Sequence, residues 1–225
     1  DILLGLKIRI SKSIFGSLDF EVVEKAVTLA DKLKVKLCVH STDPVAGMAK
    51  LANVLRPGDI LAHCYHGTGD TIIGDDRHVI PEIKEAKQRG VIMDAANGSN
   101  HWSFVTAEAA IADGFYPDVI STDLSCKTLY KDPVFSLPYV MSKYLMLGMP
   151  LNEIIKAVTV TPASLMHNKK GLGTLNVGAE GNVSIFDIAE KDITFSDTQK
   201  RTRNGKQALV PLLTICKGEV VYRSM

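Results

Sequence analysis

At 225 residues, 46% hydrophobic and 23% charged, the chain has an ordinary globular composition and a formal net charge of +1 at pH 7. That balance gives no electrostatic basis for binding nucleic acid or an anionic membrane surface, and it suits a small, neutral or weakly charged substrate. Four scattered cysteines (Cys38, Cys64, Cys126, Cys216) lack the paired short spacing of a zinc ribbon or redox motif, and no apolar run is long enough to span a bilayer, so the sequence reads as a reduced, cytoplasmic protein.

Strands alternate with amphipathic helices, the pattern of parallel βα units. The run DILLGLKIRIS predicts a strand bearing Lys7, with Arg9 and Ser11 at the same parity. Residues 19–34 form a helix with Val22, Ala26, Leu29 and Leu33 on one face. VKLCVH is the next strand and ends on His40. GMAKLANVL is a helix stopped by Arg56-Pro57-Gly58, DILAHC is a strand carrying His63, residues 81–90 are helical, and GVIMDAA is another strand. A helix over 103–113 closes at Gly114, DVISTD follows as a strand ending on Asp123, and two helices run from about Val134 to His167. From Gly171 the pattern changes to short alternating runs, TLNVGAEGNVSIFDI and LLTICKGEVVY, which read as strands of a separate small β-sheet. The polar stretch between them, DTQKRTRNGKQ, reads as a solvated loop. The domain boundary falls between residues 170 and 171.

Lys7, His40, His63 and Asp123 each lie near the C-terminal end of a separate apolar strand. Singly they have plain readings: a lysine reaching solvent, satisfied histidines, a capping aspartate. Their conjunction argues for one metal site. Neutral imidazoles suit zinc and similar ions, and a carboxylate can both touch a cation and accept a proton from water. A lysine held neutral can react with carbon dioxide and become a carbamate, which behaves like a carboxylate. Arg9 and His66, together with Asn97, Asn100 and His101 after the GVIMDAA strand, are candidates for substrate contact, since the loops that follow barrel strands line the mouth.

Through GLKIRIS, VHSTDP, ILAHCYHG, VIMDAANG, VISTDLS and TLNVGAEGNVSIFD, in that order, the chain resembles the C-terminal part of an amidohydrolase-superfamily enzyme. It is most similar to the deacetylase or dihydroorotase-like group, some of whose members carry an adenine-deaminase label. The resemblance covers essentially the whole chain. It implies a partial (β/α)8 TIM barrel, about strands 4–8, over residues 1–170, and strands of a small β-sandwich domain over 171–225. Because an intact barrel takes roughly 250 residues, the expected partners include the missing N-terminal part of the same barrel, with a His-x-His pair on strand one. A homo-oligomer is a further expectation.

Residue by residue, the resemblance implies that Lys7 is the N6-carboxylated bridging lysine, that His40 and His63 ligate a divalent metal, and that Asp123 is both ligand and catalytic base. One or two ions are implied, with zinc favoured. Similar proteins often have histidine where Asn97 stands. The expected reaction is deacetylase-type cleavage of an amide or ester in a small molecule by a metal-activated hydroxide. Alternatives are a cyclic-amide hydrolase of the dihydroorotase or hydantoinase type, an adenine-deaminase-like enzyme, and a catalytically inactive scaffold.

Overall fold

The computed structural model describes residues 4–166 and 171–224. Its first half is a run of βα units: β1 (Gly5–Arg9), α1 (Lys12–Phe15), α2 (Glu21–Lys32), β2 (Lys36–His40), α3 (Gly47–Val54), β3 (Ile60–Ala62), α4 (Pro81–Gln88), β4 (Ile92–Asp94) and α5 (Phe104–Ala112). The four strands form one parallel sheet in the order β1-β2-β3-β4. Lys7 pairs with Cys38, Arg9 with His40, and His40 with Ala62, so every strand delivers its C-terminal residues to the same edge. At the opposite edge, buried Asp59 fixes the register: its Oδ1 accepts from Leu37 N at 2.9 Å and its Oδ2 from Arg56 N at 2.9 Å. Val39, Leu61 and Met93 from the strands pack with Met48, Leu51, Ile83 and Phe104 from the helices, all fully buried. The helices thus cover one face of the sheet, while the other, with Lys7 and Arg9 exposed on β1, is left more open.

The expected DVISTD strand forms no regular strand. It meets β4 in a single bridge between Asp94 and Val119. Because β4 is only three residues long, most of its partner's hydrogen bonds come from the irregular segment beyond it, with Ala95 N, Asn97 N and Gly98 N donating to the carbonyls of Val119, Ser121 and Thr122 at 2.9–3.1 Å. The path still runs parallel, and it still delivers Asp123 to the same edge. The expected helical face is also shifted. α2 buries Val23 and Ala30, with Val22 and Ala26 partly covered, while Leu29 and Leu33 are exposed.

Three helices follow rather than two: α6 (Leu137–Met146), α7 (Leu151–Val158) and α8 (Val160–Leu165). Ser136 caps α6, its hydroxyl accepting from Tyr139 N at 3.3 Å, and the non-helical backbone of Thr159 (φ −129°, ψ −85°) divides α7 from α8. The expected helix end at His167, and the expected boundary at 170, lie outside the described residues. Beyond them an antiparallel sheet in the order β5-β6-β7 is built from β5 (Val183–Ser196), β6 (Thr202–Cys216) and β7 (Glu219–Arg223). The polar stretch read as a loop is therefore mostly strand. Only 197–201 turns, and the basic residues beyond it are paired across the sheet or to the barrel, Lys206 with Asp192 at 2.5 Å and Arg203 with Glu108 at 2.6 Å.

Candidate metal centre

Three histidines meet at the C-terminal edge of the parallel sheet. His40 closes β2, His63 is the first residue after β3, and His101 lies in the connection from β4 to α5. Ring centroids are 4.2 Å apart for His40 and His63, 4.6 Å for His40 and His101, and 4.3 Å for His63 and His101. One donor nitrogen from each lies within 4.8 Å of the other two. Among the described residues these three are the group of histidine, cysteine and acidic side chains able to share a cation.

The hydrogen bonds orient the rings for that task. His63 Nδ1 stands 2.6 Å from the carbonyl oxygen of Ala96. A carbonyl can only accept, so Nδ1 carries the proton and Nε2 keeps its lone pair. Buried His40 Nε2 has no hydrogen-bond partner. His101 Nδ1 lies 2.9 Å from the Thr42 hydroxyl. Burial first, then the neighbouring histidines and Arg9 and Lys7, push His40 down to about 3, and burial followed by the other two imidazoles takes His63 to about 2. Burial lowers His101 as well, against the opposing pull of Asp123. Three neutral imidazoles, each offering a ring nitrogen within 4.8 Å of the other two, could hold a divalent cation. An orphaned buried nitrogen is otherwise costly.

The remaining predicted residues surround this trio at differing depth. Lys7 is exposed on β1, and its Nζ donates to Cys38 Sγ at 3.3 Å. Arg9 is exposed beside His40 in register. Asp123 is exposed at a left-handed backbone position, φ 47°, beside Gly98 and His101: a Cβ on Gly98 would stand 2.5 Å from Asp123 Oδ2 and 3.0 Å from the His101 ring. Only a glycine, at φ 55°, lets that carboxylate come so near. Fully buried His66 accepts weakly from Thr68 N at 3.4 Å, has an unpartnered Nε2, and is pushed by burial to about 4. Asn97 is fully buried with Oδ1 unpartnered, whereas Asn100 is exposed.

Sequence reasoning passed over Asp94 and Thr42. Asp94 ends the VIMD strand as His40 ends VKLCVH, so the same signal was present; burial raises its carboxyl to about 6 against the hydrogen bond from Ser121 Oγ at 2.8 Å. His101 was read as a substrate contact because it stands seven residues past the end of β4, where no periodicity reports position. Its loop is held from the antiparallel sheet. Thr198 N and Oγ1 donate to Trp102 O at 3.2 and 2.8 Å and Asp197 Oδ2 accepts from Phe104 N at 3.1 Å, while Gln199 Nε2 donates at 2.8 Å to Gly67 O in the preceding connection, the one bearing His66. Trp102 itself is fully buried, its Nε1 donating to Tyr144 Oη at 2.8 Å.

A family model described as "Amidohydrolase family" matches residues 15–221. A protein named deacetylase Atu3266 from Agrobacterium fabrum is 32% identical across 99% of this chain and 54% of its own length; a deacetylase from Brucella anthropi is 31% identical across 99% and 55%. The chain thus spans about half the length of these curated relatives. Among solved structures, one titled an adenine deaminase superposes with a TM-score of 0.91 at 28% identity, covering 99% of this chain and 60% of that one. One titled a dihydroorotase gives 0.86 at 32%, covering 99% and 57%.

Proposed function

The chain belongs to the amidohydrolase family, and from that premise we propose that it carries much of the active site of a metal-dependent hydrolase that cleaves an amide or ester bond of a small molecule, in the manner of a deacetylase. The observation that carries the reading is the cluster of neutral imidazoles, buried at His40 and His63 and half-buried at His101, at the C-terminal sheet edge, where barrel enzymes gather their chemistry. His40 and His63 would hold a divalent cation, zinc being favoured by the all-nitrogen donors. Such an ion, when bound, supplies Lewis acidity toward an acyl oxygen and makes water acidic enough to attack near neutral pH. Lys7 would react with carbon dioxide only as the neutral amine. From that neutral form Nζ would attack the carbon, making the N–C bond and losing one N–H proton to solvent, and the resulting carbamate would bring anionic oxygens to a second ion.

Asp123 would move the protons. Its carboxylate takes one from the attacking water and returns it to the departing nitrogen or oxygen, and its position at the rim beside Gly98 leaves it open to substrate. Arg9, His66, Asn97 and Asn100 would orient the substrate, Arg9 and Asn100 being the exposed pair and His66 and Asn97 lying fully buried behind them. The four free cysteines agree with a reducing, cytoplasmic setting, and among the described residues no helix is long and apolar enough to cross a membrane. A second reading, ring-opening of a cyclic amide or deamination of adenine, is favoured by the likeness to the two solved structures, a dihydroorotase and an adenine deaminase.

The test is a substrate panel of N-acetyl amino acids, acetyl esters, cyclic imides and adenine, assayed with the full-length protein before and after chelation. Acyl hydrolysis lost on chelation and restored by zinc is expected. Turnover of cyclic imides or adenine alone would transfer the assignment to the second reading, and full activity in metal-free protein would end both.

A further inference from the structure

On the metal-dependent reading above, we infer that His101 is a third imidazole ligand of the cation held by His40 and His63, so that this ion stays bound without Lys7. Lys7 and Asp123 would then serve a second ion and the proton transfers.

His101 is as close to each of the other two rings as they are to one another, within half an ångström, and its donor nitrogen falls within the same 4.8 Å. A substrate contact would have no reason to sit inside the cluster. Thr42 engages Nδ1, and with the hydroxyl accepting, Nε2 is left bare for the ion. Neighbours of this kind commonly fix the tautomer and aim of a metal-binding imidazole. The connection that carries His101 is also rigid in the right place, since the next three residues are tied down through Trp102, Ser103 and Phe104. Three histidines with a fourth position open form a known donor set for catalytic zinc. Asn97, at a buried position in the same connection, offers only an amide, so His101 is the residue of that loop able to supply an imidazole.

Full-length protein stripped by a chelator would be titrated with Co²⁺, with binding followed by visible absorption and by metal analysis after desalting. His40→Ala, His101→Ala and His101→Gln should each weaken one ion by more than about 10²-fold, beyond the 10–100-fold that loss of an orienting neighbour costs. Thr42→Val should fall within that smaller range. Lys7→Ala should keep the ion. If the His101 variants bind it as the unaltered protein does while His40→Ala loses it, the assignment is overturned and His101 returns to substrate contact. Loss of the same ion in Lys7→Ala would overturn its independence of Lys7. An unweakened His40→Ala would sink the metal-dependent reading itself. Should the His101 variants fail to fold, the ring-nitrogen NMR signal of His101 in unaltered protein decides: a shift on adding zinc supports the ligand role, and a signal that stays put refutes it.

Discussion

β2, β3 and β4 are five, three and three residues long, yet β2 and β3 lead directly into buried His40 and His63 and the connection after β4 carries half-buried His101; β5 and β6 run for 14 and 15 residues and turn their charges to solvent. The short strands suffice because helices and neighbouring strands cover them, so only the edge is left to carry polar groups. The long pair is exposed along much of its length, with β7 exposed throughout, and depends on an extended ladder of its own. Strand length therefore says little about where chemistry lies. The density of polar groups enclosed at one sheet edge says more. The two regions meet at the tip of the β5–β6 hairpin, where Asp197, Thr198 and Gln199 bind the connections bearing His101 and His66.

Substitutions should separate the two regions by kind of effect as well as by size. His63→Ala should cost about 10³-fold in turnover together with one bound ion, because the Lewis-acid contribution is worth several kcal/mol and each 1.36 kcal/mol is tenfold; steady-state rates with metal analysis check it. Asp123→Asn should lower turnover by about 10² while much of the metal remains, since an amide cannot shuttle the proton. A fully active Asp123→Asn enzyme would remove the carboxylate from the mechanism.

Acid should unsettle the metal-free protein through the same edge. His40 and His63 ionise in the fold only near 3 and 2, against 6.5 ordinarily. The unfolded chain thus takes up protons that the folded chain refuses. The stability they contribute is complete above about pH 6.5 and is lost as the pH falls from there toward 3. Thermal unfolding of chelated protein between pH 8 and 4 should show a falling Tm, and a flat profile would mean that the imidazoles are hydrated and open. Asp197→Ala should cost about 2 kcal/mol in urea unfolding, since it strands the backbone N–H groups of Phe104, Gln199 and Arg201. Metal affinity should weaken alongside if the hairpin holds His101 in place. The smallest effect is expected at Lys206→Ala, within about 0.5 kcal/mol by the same measurement, because Lys206 and Asp192 are 81% and 82% exposed.

How far the site was legible followed from how regular its surroundings are. His40 and His63 stood at the ends of apolar strands bounded by turn residues, so their placement on one edge could be read from alternation and order alone. Asp123 reaches that edge although its expected strand is reduced to a single bridge, because an extended path delivers its end much as a strand does. The closeness of His101 to the other two rings was not legible in the pattern. Its position is set by contacts with Thr42 and with residues nearly a hundred positions onward, and nothing local encodes those. The basic run around Arg203 was misread for a related reason: charges on an exposed strand look like charges in a loop until the strand across from them is known.

One backbone feature bears on any attempt to move this centre elsewhere. His63, Ala96 and Asp123, on three successive connections of the edge, all have left-handed φ values of 67°, 37° and 47°, a conformation that costs about 1–2 kcal/mol at a residue other than glycine. The turn at Ala96 presents the carbonyl that fixes the His63 tautomer, and the turn at Asp123 brings its carboxylate over Gly98. Transplanting the imidazoles alone onto ordinary strand ends of another barrel would leave these turns behind. Such a copy would lack the carbonyl that fixes the His63 tautomer and the turn that places Asp123, so a working graft would have to carry the three connections entire.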